Sequence, residues 1–188
     1  SRSGTSPPPF SAAASPAHAF VLAWRSLRDA VTVATGSRPG PDAPEPPPVV
    51  HLSQEIRQSR PVRAGERVSV DVDVLGARRD PRGTRLAVRS VLAGEDGSSF
   101  AELSSALLLI GASVPAPFGT VPATSAPGTP TAATETVTHV LPPDLPRRYA
   151  EASGDDNPIH LDRDRAVAAG YPDVIAHGMS VVALVCEE

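Results

Sequence analysis

Residues 149–179 read YAEASGDDNPIHLDRDRAVAAGYPDVIAHGM. This short span holds a carboxylate, Asp155, an imidazole, His160, two turn formers, Gly154 and Pro158, and a later pair, His177 and Gly178. Asn157 and Pro158 lie between Asp155 and His160. A proline disfavours the helical conformation at the residue before it, so the spacing predicts a turned loop rather than one helix face. Such a loop can aim both side chains at one small volume. That is the geometry needed to hold and polarise a single water molecule.

Working outward, residues 134–141 alternate as one strand. Asp144 then caps a short helix with Pro146 in its first turn and Leu145, Tyr149 and Ala152 facing inward. This helix delivers the chain into the loop at 153–160. Asp162 caps a further helical segment, 163–169, which Gly170 ends. Residues 171–176 form a loop, and His177, Gly178 and Met179 open a helix that is apolar through Val181, Val182, Leu184 and Val185. At that helix N-terminus the Gly178 amide has no intrahelical acceptor and lies at the positive end of the dipole. With no side chain in the way, it is a candidate donor to a carbonyl oxygen.

Upstream, residues 1–15 are Ser, Pro and Ala without periodicity and read as disordered. A helix follows, with Ser15 as N-cap, Pro16 at its first position and Gly36 beyond its end. Phe20, Val21, Trp24, Leu27 and Val31 recur at spacings of three and four, marking one buried face; Trp24 reads as packing, not as a cofactor contact. Residues 37–48 form a proline-rich connector. The period then changes to two. Strands are predicted at 49–56, at 67–75 with Val68, Val70, Val72 and Val74 on one face, at 84–92 and at 100–110, with turns at 78–83 and 94–97. The reading divides the chain into a disordered segment (1–15), a first folded half (16–111), a Pro/Ala/Thr-rich linker (112–134) and the start of a second half (135–188).

The chain has 188 residues, 22 of them Pro, a hydrophobic content of 40% and a net charge of -4. Every basic residue is Arg. The charge balance, with no basic cluster beyond the pairs Arg78–Arg79 and Arg147–Arg148, speaks against nucleic-acid binding. A single cysteine, Cys186, excludes an internal disulfide and a cysteine-rich metal site. Its place within an apolar helix, and the lack of a base beside Ser153, speak against nucleophilic schemes. No apolar run, 106–110 included, is long enough to span a bilayer, and no signal segment opens the chain. A cytoplasmic protein is the expectation. The chain begins at Ser1 without a methionine and stops inside a predicted helix, so it reads as a piece of something longer.

The pattern S-G-D-x-N-P-[IL]-H followed by A-H-G-M, met here at 153–160 and 176–179 without a gap, resembles the signature of the MaoC-like acyl-thioester hydratases and dehydratases, the (R)-specific enoyl hydratase group. The strong part of the match covers 145–185. The resemblance implies an α+β fold of the double hot-dog type, in which an antiparallel sheet wraps a central helix. Here the second hot-dog is incomplete, and the fragment alone is expected to be inactive or poorly folded. The resemblance also implies reversible hydration of trans-2-enoyl thioesters of coenzyme A or acyl carrier protein to (R)-3-hydroxyacyl thioesters. In that reading Asp155 and His160 are the catalytic pair and Gly178 the oxyanion donor. Ser153, Gly154, Asn157, Pro158 and His177 support the loop. Asp156 is the rival to Asp155, but the motif puts the active carboxylate directly after Gly154.

No cofactor is implied. A metal held by Asp155, His160, Asp162 and His177 matches no known ligand spacing. The absence of a second S-G-D-x-N-P-x-H copy in 1–110 agrees with a degenerate first half. The rival reading is a noncatalytic acyl-binding or scaffold subunit, completed by a second copy or by a partner hot-dog subunit; thioester hydrolysis on the same fold is a third.

Overall fold

The apolar face read from the helical period builds helix α1, Ala17–Ala34, with Ala19, Phe20, Ala23, Trp24, Leu27 and Val31 buried along it. The computed structural model describes residues 14–36, 47–114, 116–122 and 137–186. The N-terminal segment up to residue 13, the connector over 37–46 and the linker over 123–134 lie outside the described residues. At the start of α1 the boundary falls at Pro16 rather than Ser15, whose hydroxyl accepts from the Ala17 amide at 3.4 Å.

Four long strands follow: β1 (Val49–Gln58), β2 (Ser69–Asp80), β3 (Gly83–Ala93) and β4 (Ser99–Ile110). They pair antiparallel in the order β1-β4-β3-β2-β5, the last being a two-residue strand, Phe118–Gly119. β2 runs further than the alternation predicts. Arg78 and Arg79 pair with Arg85 and Thr84, so only Pro81 and Arg82 turn the hairpin. The Asp80 carboxylate closes that turn by accepting from the Arg82 amide at 3.0 Å and from the Arg85 guanidinium at 2.6 Å. β5 falls within the span read as linker. It pairs with Gly76 and Ala77 of β2, and a side chain at position 76 would meet the Thr120 backbone at 2.5 Å. Paired glycines admit this close approach, and two residues carry no period to read.

The inner face of the sheet, with Leu86, Val88 and Leu92 of β3 and Leu103, Leu107 and Leu109 of β4, packs on α1. Val68, just before β2, and Val70, Val72 and Val74 within it close the core, as their alternation predicts. Each fully buried leucine here stabilises the fold by about 1.5–3 kcal/mol. A sheet wrapped on a helix in this way is the hot-dog arrangement.

The ladder between β1 and β4 slips once, between His51 and Ser53, where Leu52 is left without a partner. This β-bulge reverses the inward–outward parity of the strand.

The predicted strand at 134–141 is not seen over its described part. Residues 137–141 are irregular and exposed, with Val140 91% exposed, and no described strand lies beside them to accept their hydrogen bonds. Helix α2 is Leu145–Ser153, followed by a 3-10 turn at Pro158–His160, helix α3 (Arg163–Ala168) and helix α4 (Gly178–Val185). Tyr149, Met179, Val182 and Ala183 join the α1 core, whereas Ala152, expected inside, is exposed. Among the described residues no further sheet follows α4, and no helix is long and apolar enough to cross a membrane.

Candidate functional site

Helix α2 ends at Gly154, which takes the left-handed conformation (φ 74) and donates its amide to the Ala150 carbonyl at 2.8 Å. Only glycine adopts that conformation without strain, and it turns the chain out of the helix into the loop. The loop then fixes itself. The Ser153 hydroxyl donates to the Tyr149 carbonyl at 2.7 Å and accepts from the Asp155 amide at 3.1 Å. An Asp155 carboxylate oxygen accepts from the Asn157 amide at 3.3 Å. Asn157 is extended ahead of Pro158 (ψ 120), as the proline demands, and the 3-10 turn that begins at Pro158 carries His160.

Three contacts tie this loop to the first half of the chain. The Trp24 indole donates to the Gly154 carbonyl at 3.2 Å, and the Asn157 side-chain amide donates to the Val49 carbonyl at 2.8 Å. Asp156 turns outward to an exposed ion pair with Arg28 at 2.9 Å. It therefore leaves the cleft to Asp155, which lines it together with His160, Gly178, Trp24 and His51. The cleft encloses about 120 Å³. That is well below the roughly 300–1,000 Å³ that surrounds a drug-sized ligand, so it has room for a reacting group but not for a long chain.

Hydrogen bonding sets the protonation of both histidines. A carbonyl only accepts, so His160 Nδ1, 2.8 Å from the Ile175 carbonyl, carries a proton and leaves Nε2 as a bare lone pair. His177, the residue preceding α4, donates Nε2–H to the Asp155 carbonyl at 3.0 Å. Its ring stacks on that of His160 with centroids 3.9 Å apart. Its Nδ1 is buried without a hydrogen-bond partner among the described residues.

Burial dominates the electrostatics. It pushes the Asp155 carboxyl up to about 6; the Asn157 amide opposes this and the Asp156 charge adds to it. Burial, with His177 adjacent, lowers His160 to about 4. His177 is lowered by burial. Tyr149 is pushed up to about 12, by burial and then by Asp155. At neutral pH the pair is therefore an ionised carboxylate beside a neutral imidazole.

Asp155, His160 and His177 each offer a potential ligand atom, all within 4.8 Å of one another. Asp162 is not part of this group. Its carboxylate accepts from the Arg165 amide at 3.0 Å and caps α3. Of the ring nitrogens only His160 Nε2 and His177 Nδ1 could meet an ion, beside an Asp155 carboxylate oxygen, since the other two are committed to carbonyls.

Gly178 begins α4 at the edge of the cleft, and among the described residues its amide meets no acceptor. Cys186 is exposed at the end of α4 and takes no part. The structure thus brings Asp155, His160, His177 and Gly178 to one place, with Ser153, Gly154, Asn157 and Pro158 shaping the loop behind them. Sequence reading missed Trp24 and His51 as neighbours of this site. Both come from more than 100 residues upstream, and each carries a local period that packing alone explains.

The family described as MaoC like domain matches residues 122–187. The 3-hydroxyacyl-thioester dehydratase X of Mycobacterium tuberculosis is 32% identical over 142 residues, which is 72% of this chain and 47% of that protein. The chain thus spans about half the length of that relative. Two crystal structures of HtdX from Mycobacterium tuberculosis superimpose with TM-scores of 0.64 and 0.68 at 26% and 25% identity. They cover 92% of this chain and 62% and 65% of theirs. A MaoC-like dehydratase from Phytophthora capsici shares the fold, with a TM-score of 0.58 at 22% identity over 79% of this chain and 53% of that one.

Proposed function

The chain carries a MaoC-like domain in its residues 122–187, and on that premise we propose that its protein interconverts trans-2-enoyl and (R)-3-hydroxyacyl thioesters, carried by coenzyme A or acyl carrier protein. The observation that carries the reading is the cleft wall on which Asp155, His160 and the Gly178 amide meet. Hydration needs a base for water as it attacks C3, a proton for C2, and a donor for the charge that develops on the carbonyl oxygen.

With Asp155 near 6 and His160 near 4, both members of the pair are unprotonated at neutral pH. The proton that C2 receives must then be the one water gives up. Asp155 is the stronger base, so it takes a proton as the water oxygen bonds to C3 and the C2–C3 electrons move toward the carbonyl. The His160 Nε2 lone pair accepts the second water hydrogen bond and holds the oxygen in line. The Gly178 amide, at the positive end of α4, stabilises the enolate oxygen. Asp155 returns its proton to C2, which restores the starting state; dehydration is the reverse. His177 positions the pair through its bond to the Asp155 carbonyl and its stack on His160.

The test is loss of enoyl absorbance when short and medium trans-2-enoyl-CoA are added to the full-length protein and to an Asp155→Asn variant. The expected result is turnover by the wild type and a loss of about 10²–10⁴-fold in the variant, the range for a positioned acid–base group. A second reading, a noncatalytic acyl-binding subunit, draws on the apolar surface that α4 leaves open, with Val181 43% and Val185 70% exposed. It predicts thioester binding without turnover by either protein.

A further inference from the structure

The β-bulge at Leu52 has chemical consequences for the cleft. In a regular strand residues i and i+3 point to opposite faces, so the side chains of His51 and Gln54 should not meet. The slip between His51 and Ser53 reverses the parity, and His51 Nε2 lies 3.0 Å from Gln54 Oε1. The orientation of that amide is set by its other end. Gln54 Nε2 donates to the Glu55 carbonyl at 2.9 Å, which can only accept. Gln54 Oε1 therefore faces His51 and also accepts from the Ser105 hydroxyl at 2.7 Å.

Facing a carbonyl oxygen, His51 Nε2 must carry the proton, and Nδ1 is left as a bare acceptor. Phe20 packs on the ring with centroids 4.9 Å apart. Burial, partly offset by Gln54, lowers the pKa to about 4, so the ring stays neutral at working pH. His51 lines the same cleft as Asp155 and His160. Its Cβ lies 3.4 Å from where a side chain on Gly178 would begin, which puts it beside the amide assigned to the thioester carbonyl.

We propose that His51, presented by the bulge and locked in one tautomer by Gln54 and Ser105, is a specificity residue whose Nδ1 accepts a hydrogen bond from the amide N–H of the thiol carrier arm. The inference rests on the thioester reading above and deepens it. Beside the carbonyl, the nearest donor on a pantetheine-linked substrate is the amide two carbons from sulfur. An alkyl thioester has no donor there. The first half of the chain would thus recognise the carrier while the second half performs the chemistry.

The experiment compares two crotonyl thioesters with the full-length protein, one of N-acetylcysteamine, which bears that amide, and one of butanethiol, which does not. The readout is the ratio of their kcat/KM values. In His51→Leu the ratio is expected to fall about tenfold, the equivalent of one hydrogen bond worth roughly 1.4 kcal/mol. In His51→Asn, whose side-chain oxygen stands where Nδ1 stood, it is expected to recover most of that loss. An unchanged ratio in a folded His51→Leu protein, with both substrates slowed alike, would give His51 a packing role only and overturn the proposal. No turnover of either thioester by the wild type would instead defeat the hydratase reading, and this inference with it.

Discussion

At the residue scale, Asp155 sets function against stability. Its carboxyl titrates near 6 in the folded protein against an ordinary value of 3.8, chiefly through burial. Between those two values the folded state binds more protons than the unfolded chain, so stability falls as pH rises and the penalty is complete above about 6. Asp155→Asn removes a buried charge. It is expected to raise stability at pH 7 by about 1–3 kcal/mol, at roughly 1.4 kcal/mol per pH unit, and with it the melting temperature, the gain shrinking toward pH 4. Thermal melts of both proteins across that range check the sign; a variant less stable than wild type at pH 7 would contradict the account. The same carboxyl sets the acid limb of kcat/KM near pH 6 in the proposed mechanism, since it must be ionised to take a proton from water. His160, near 4, adds no limb above it. That Asp155 and His160 share one cleft was legible in residues 153–160, because turn chemistry is local. The protonation states were not, because they follow from the Ile175 and Asp155 carbonyls and from burial, which no spacing encodes.

At the element scale, β1 is the edge of the sheet. The Pro48 carbonyl just before it accepts from the Ile110 amide at 2.9 Å, and its Val49 carbonyl is met by the Asn157 side chain. The loop thereby covers an edge that would otherwise present free backbone groups. Asn157→Ala should cost about 1–3 kcal/mol, the usual penalty for orphaning a buried acceptor, and should lower kcat by loosening the turn that carries His160. Denaturant midpoints and initial rates on the same preparations measure both effects. A loss of rate with no loss of stability would point away from this tie. The long strands and α1 were legible from their periods. The two-residue β5, the Leu52 bulge and the tightening of the turn read at 78–83 to Pro81 and Arg82 were not, because each is decided by a partner strand. The described part of the strand expected over 134–141, residues 137–141, is irregular for the same reason, its alternation having no described neighbour to pair with.

At the scale of the whole molecule, one core is shared by α1, the sheet and the helices that follow residue 144. Phe20, Leu27 and Leu107 cluster with Tyr149 and Met179. The division into a first and a second half describes the order of elements along the chain, but the cleft draws on both. Trp24 and His51 reach it from the first half, and His177 and Gly178 from the second. The indole that bonds the Gly154 carbonyl is also the only tryptophan in the chain. The protein therefore carries a built-in optical reporter of its own cleft. An acyl thioester that displaces water beside Trp24 is expected to shift its emission to the blue and to saturate with occupancy. Such a titration would yield a dissociation constant in Asp155→Asn, where turnover no longer consumes the ligand. Unlabelled protein and a fluorimeter suffice to separate binding from chemistry.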